Sequence, residues 1–180
     1  FLSDSTRVAT FQLGRENGGG PHDLLSKAVD LGNAHGLTHA VKKKDGWQNL
    51  GTYNRYQAEE FGRFVSKLKN TNEPRGEGNM LDNTFAMHGS ASSSFHLSRN
   101  YPIISAGGKN LGFVNGRYLN YVGLREDGSL PGAGVISDAG WNSKVVEEEP
   151  PLGKLFVSIL QRLGVETDSF AEYSGTLERV

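Results

Sequence analysis

The sequence predicts an α/β fold with helices packed on the faces of a sheet, and three observations predict it. Short apolar runs that alternate along the chain recur between stretches of helical spacing, the order expected when strands and helices alternate. Glycine is abundant, at 24 of 180 residues, beside a hydrophobic share of 36%, which is a loop-rich balance. The length of 180 residues suffices for one domain with a real core. Only three or four strands are visible, so the expected sheet is incomplete. The chain also starts with Phe1 rather than Met, and residues 1–180 are expected to be a single partial domain, the C-terminal part of a larger one.

Each element has its own warrant. Residues 6–13 read as the first strand, with Ala9, Phe11 and Leu13 on one face and Val8 and Thr10 on the other. Gly14 ends it, and "ENGGGPHD" is a loop. Residues 22–51 have little periodicity but carry His22, His35 and His39, three of the five histidines. So long and weakly patterned a stretch points to function or mobility. "TYNRYQAEEFGRFVSKLK" predicts a helix over residues 53–69, with Thr52 as N-cap and Tyr53, Tyr56, Phe61, Phe64, Val65 and Leu68 near one stripe.

"NTNEPRGEG" breaks that helix. Strands follow over residues 83–89 and 102–106, separated by a loop, with Pro102 near a strand start where a missing N–H is tolerated. "GGKNLGFVNGRYLNY" is a turn-rich connection, because it lacks the Lys-Ser/Thr signature of a phosphate loop and no helix pattern follows. Residues 122–150 read as an inserted surface loop. "PLGKLFVSILQRLG" predicts a core-facing helix. Pro151 suits its first position and Gly164 its C′ position, and Leu152, Leu155, Phe156, Ile159, Leu160 and Leu163 form its apolar stripe.

Composition narrows the function. The 19 basic and 20 acidic side chains nearly balance, and no basic stripe points to nucleic acid. Lys42-Lys43-Lys44 reads as a solvated turn. Cysteine is absent, which excludes disulfides and thiolate metal sites. No apolar run approaches the roughly 18–20 residues of a spanning helix.

Histidine spacing carries the sharpest chemical signal. "HGLTH" sets His35 and His39 four apart, and on one helical turn both imidazoles would aim at one point. A zinc-type site needs imidazoles or carboxylates about 2.0–2.2 Å from the ion, usually three from the protein with one position open for catalysis. His96 is the candidate third ligand. The competing reading leaves His35 and His39 in a solvated loop. His88 stands at the carboxyl end of a strand, where open sheets bind ligands, but a lone histidine there is more often a hydrogen-bonded structural residue. Ser90 lacks the G-x-S-x-G elbow of a nucleophile.

Seven segments in order, "STRVATFQLG", "HGLTHA", "NRYQAEEFGRFVSKLK", "LDNTFAMHGS", "NYPIISAGG", "GRYLNY" and "PLGKLFVSILQRLGVETDSF", resemble the bacterial domain-of-unknown-function family fifteen fifty-two. The resemblance runs over residues 5–177 and is to the C-terminal part of longer members. It implies an exported protein, periplasmic or secreted. It also implies distant similarity to the alkaline phosphatase and sulfatase superfamily, hence the C-terminal part of an alkaline-phosphatase-like three-layer sandwich with a mostly parallel sheet.

By that resemblance one divalent metal, zinc, manganese or similar, would be held by His35, His39 and His96, with His35 where the superfamily has aspartate. The superfamily's second Asp-His pair is expected near Ala91-Ser92-Ser93, and neither ligand is there. Its "DSTG"-like ending is altered to "EYSG" at residues 172–175. "MLDNTFAMHGSASSSFH" therefore has the frame of a hydrolase strand without the second metal's carboxylate, stripped or repurposed. Two functions follow as expectations. One is a single-metal hydrolase of phosphate or sulfate esters, its nucleophile upstream of Phe1. The other is a non-catalytic module that binds a small molecule, a glycan or a partner protein.

Overall fold

The computed structural model describes residues 2–3, 5–13, 24–41, 43–90, 101–119, 150–177 and 180. Its architecture is mixed α/β. The helices are α1 (Leu24–Ala28), α2 (Ala34–Ala40), α3 (Trp47–Lys69) and α4 (Leu152–Arg162), and the strands are β1 (Phe85–Gly89), β2 (Ile103–Gly107), β3 (Ser169–Phe170) and β4 (Tyr173–Ser174). The inserted loop expected over residues 122–150 lies, up to residue 149, outside the described residues. Contacts divide the chain into two units, Phe1–Ser66 and Lys67–Val180.

In the first unit, residues 6–13 do not form the expected strand. They belong to none of the ladders among the described residues, and Phe11 is 86% and Val8 75% exposed. The physical reason is local. The Thr6 hydroxyl donates to the Val8 carbonyl at 2.7 Å and accepts from the Val8 N–H at 3.4 Å, a short-range bonding pattern that competes with a ladder. Leu37 and Tyr53 are the buried apolar side chains described in this unit.

Helix α3 begins at Trp47, ahead of the predicted start. Thr52 is therefore not its cap. Its hydroxyl instead donates to the carbonyl of Gln48 at 3.1 Å, the back-bond of an interior helical threonine.

The second unit is built on two antiparallel pairs. β1 and β2 run antiparallel from Phe85 opposite Gly107 to Gly89 opposite Ile103, close to the predicted strands. Ahead of them, Asn72 and Asn79 form an isolated antiparallel bridge, and the Met80 N–H donates to the Thr71 carbonyl at 2.8 Å. Phe85 stacks on Phe113 with ring centroids 4.0 Å apart. Phe113, Met80, Ala86, Leu68 and Val157 are the buried apolar side chains described here. β3 and β4 form a minimal hairpin, Ser169 opposite Ser174, that the sequence reading did not anticipate.

Helix α4 ends as its sequence predicts. Gly164 takes φ 82°, its N–H reaches the Gln161 carbonyl at 3.0 Å, and the Val165 N–H reaches Leu160 at 2.9 Å. Those two bonds are the Schellman pattern, which a left-handed glycine permits at little steric cost.

The buried face of α4 differs from the predicted stripe. Gly153, Val157 and Ser158 are buried, whereas Leu163 is exposed. Small residues explain it. A Cβ on Gly153 would lie 2.7 Å from Tyr173 Cδ2, so the glycine lets β4 approach the helix directly. Phe170 meets Phe156 at 5.0 Å between centroids. The fully buried Ser158 hydroxyl accepts from the Leu177 N–H at 2.9 Å, which satisfies a backbone donor. Burial of Val157 contributes about 1.5–3 kcal/mol by its area. At the far end of α4, Arg162 Nε donates to the Gly112 carbonyl at 3.2 Å, and its guanidinium sits 5.2 Å from the Phe113 ring centroid.

Candidate metal centre

The only pair of candidate ligands that the described residues bring together is His35 and His39, and a short helix does it. Asn33 caps α2, its Oδ1 accepting from the Gly36 N–H at 2.6 Å. That bond satisfies one of the first-turn N–H groups that a helix leaves unpaired. With α2 in place, the i, i+4 spacing brings His35 Nε2 to 3.1 Å from His39 Nε2, with ring centroids 4.7 Å apart. The Thr38 hydroxyl donates to the His35 carbonyl at 2.7 Å, adding a local bond within the same turn. His35 is half-buried and His39 exposed.

Two chemistries suit this arrangement. In the metal-free chain, one neutral imidazole can donate its Nε2–H to the unprotonated Nε2 of the other. With both nitrogens unprotonated, the separation matches that of two ligands on one ion. Bonds of about 2.0–2.1 Å set about 90–110° apart place their nitrogens about 2.8–3.4 Å from each other, and 3.1 Å falls within that span. Among the described residues no group of three or more His, Asp or Glu side chains converges. His96, the third expected ligand, lies outside the described residues, as do the positions around Ala91-Ser92-Ser93.

The other singled-out residues fall elsewhere. His88 is half-buried in β1, in register with Ile104 of β2. Ser90 is exposed immediately after the strand. In "EYSG", Tyr173 belongs to β4, and a hydrogen bond to the Glu172 carboxylate, followed by that carboxylate's charge, raises its phenol pKa above the usual tyrosine value.

A polar relay in the second unit had no counterpart in the sequence reading. Asn110 Nδ2 donates to Asn83 Oδ1 at 3.1 Å, and Asn83 Nδ2 donates to Glu73 Oε2 at 3.2 Å. Asp82 Oδ2 accepts from the Asn79 N–H at 3.3 Å, while Asn79 Oδ1 accepts from the Asp82 N–H at 3.1 Å. These bonds tie the loop before β1 to the turn after β2. No spacing rule links Glu73 to Asn110, so only the fold reveals the relay.

Comparison of the chain with protein-family models, with curated proteins and with solved structures gives no match.

Proposed function

We propose that this chain is part of an exported bacterial hydrolase of phosphate or sulfate esters that uses one divalent metal. The observation that carries the proposal is the 3.1 Å approach of His35 Nε2 and His39 Nε2 on one capped turn. The resemblance supplies His96 as the proposed third ligand. A bound ion there would polarise an ester oxygen or lower the pKa of a bound water. Zinc or manganese suits imidazole ligands, zinc the better. The role of the chain's own residues is narrower: α2 orients two imidazoles, and Asn33 holds the turn that carries them.

The architecture proposed for the whole protein is the three-layer sandwich with a mostly parallel sheet, to which residues 1–180 contribute a single partial domain. Large sheets of that kind often carry antiparallel strands at one edge, a place that β1 and β2 would suit. The resemblance supports a periplasmic or secreted location.

A second reading has its own support. The serines and alanine at residues 90–94 stand where a second metal's carboxylate is expected, which favours a module that keeps the fold and binds a small molecule, glycan or partner protein without turnover.

Metal analysis separates the two. The expected result is about one equivalent of zinc or manganese per chain after loading. Its affinity should fall in His39→Ala by more than the roughly 10–100-fold typical of outer-shell losses. Absence of stoichiometric metal after loading overturns the hydrolase and leaves the binding module.

A further inference from the structure

We infer that Asn115 is a site of spontaneous deamidation whose conversion loosens the seat of Phe113. Asn115 precedes Gly116, both are exposed, and Gly116 takes φ 76°. No atom stands within 4 Å of the place a Gly116 Cβ would occupy. The backbone nitrogen after the asparagine is therefore unhindered by a side chain of its own or by neighbours on that side.

The chemistry needs no partner but water. The Gly116 amide nitrogen, losing its proton, attacks Asn115 Cγ. A C–N bond forms, the Cγ–Nδ2 bond breaks, and ammonia leaves with that proton. Water then opens the five-membered imide at either carbonyl, giving aspartate or isoaspartate. The net change is amide plus water to carboxylic acid plus ammonia.

What the structure adds is the consequence. Asn115 Nδ2 donates to the carbonyl of Gly107 at 3.0 Å. Gly107 closes β2 opposite Phe85. The next residue, Gly108, takes φ 69°, and the Phe113 ring lies 2.6 Å from where its Cβ would be. Aspartate at position 115 has no donor to give at neutral pH. It sets an anionic acceptor against a carbonyl oxygen, which removes a bond and adds repulsion at the turn supporting the Phe85–Phe113 stack. Isoaspartate also lengthens the backbone there.

The test is peptide mapping of the chain after incubation at mildly alkaline pH, folded and in denaturant, beside Asn115→Asp and Asn115→Gln. An exposed loop opens at little cost, so the peptide spanning Asn115 should gain about one mass unit, in part as isoaspartate, within about tenfold of the denatured rate. Asn115→Gln should stay unconverted, since its ring would need an extra atom. Fresh Asn115→Asp should melt below the parent chain, and the aged chain should drift toward it. Conversion more than about tenfold slower in the folded chain, by the same opening argument, overturns the site. An Asn115→Asp variant that melts with the parent overturns the consequence.

Discussion

Tyr173 shows how much a single side chain depends on its neighbours. Its ring closes over Gly153, while its hydroxyl lies beside the Glu172 carboxylate, which disfavours the phenolate and raises the pKa. For an acid whose folded-state pKa is raised, the linked stability is fully present below the unfolded value of about 10 and is lost as pH rises through the folded value. Ultraviolet titration should therefore show one of the six tyrosines ionising later than an ordinary tyrosine, and Glu172→Gln should bring it back. A titration unchanged by that substitution would remove Glu172 as the cause. The sequence reading met this tyrosine only within "EYSG". It did not reveal the contact with Gly153, because nothing local in "PLGKL" says which distant ring will need the missing Cβ.

Helix α2 decides whether two histidines become a site. With seven residues it is far below the length at which isolated helices persist in water, so its cap matters. Asn33→Ala should cost about 0.5–2 kcal/mol of local helix stability. If the histidine pair holds a metal, the same loss should weaken metal affinity by roughly 2–30-fold. Calorimetric metal titration of the variant checks this, and unchanged affinity would disconnect the histidine pair from the helix.

Elements differed in how far the sequence exposed them. β1 and β2 were legible because short apolar runs bounded by glycine and polar turns leave few alternatives. The end of α4 was legible because Gly164 has a local role. Its buried face was not, since Gly153 and Ser158 are small or polar and fall outside any apolar stripe, yet they are buried where β4 and Leu177 approach. The 6–13 segment erred the other way: its alternation was sound, but alternation cannot supply a ladder partner.

At the scale of the whole molecule, protection should follow the ladders rather than the hydrophobic pattern. Amides of residues 6–13 belong to no ladder among the described residues and should exchange with solvent in the fastest class. Those of β1, β2 and the middle of α4 should be among the slowest. Hydrogen exchange read by mass spectrometry distinguishes the cases, and strong protection across residues 6–13 would restore the strand that the sequence suggested.

By itself the sequence determined the α/β character, the positions of β1, β2 and α4, and the four-residue spacing that makes His35 and His39 a candidate pair. Each of these rests on side-chain periodicity or turn chemistry acting within a few residues. It took the folded chain to show that β1 and β2 pair antiparallel, that α4 buries Gly153, Val157 and Ser158, and that α2 forms to bring the two Nε2 atoms to 3.1 Å. Ladder direction and close approach depend on groups distant along the chain, and the helical state of α2 turns on one cap against a marginal length, so periodicity could not decide them.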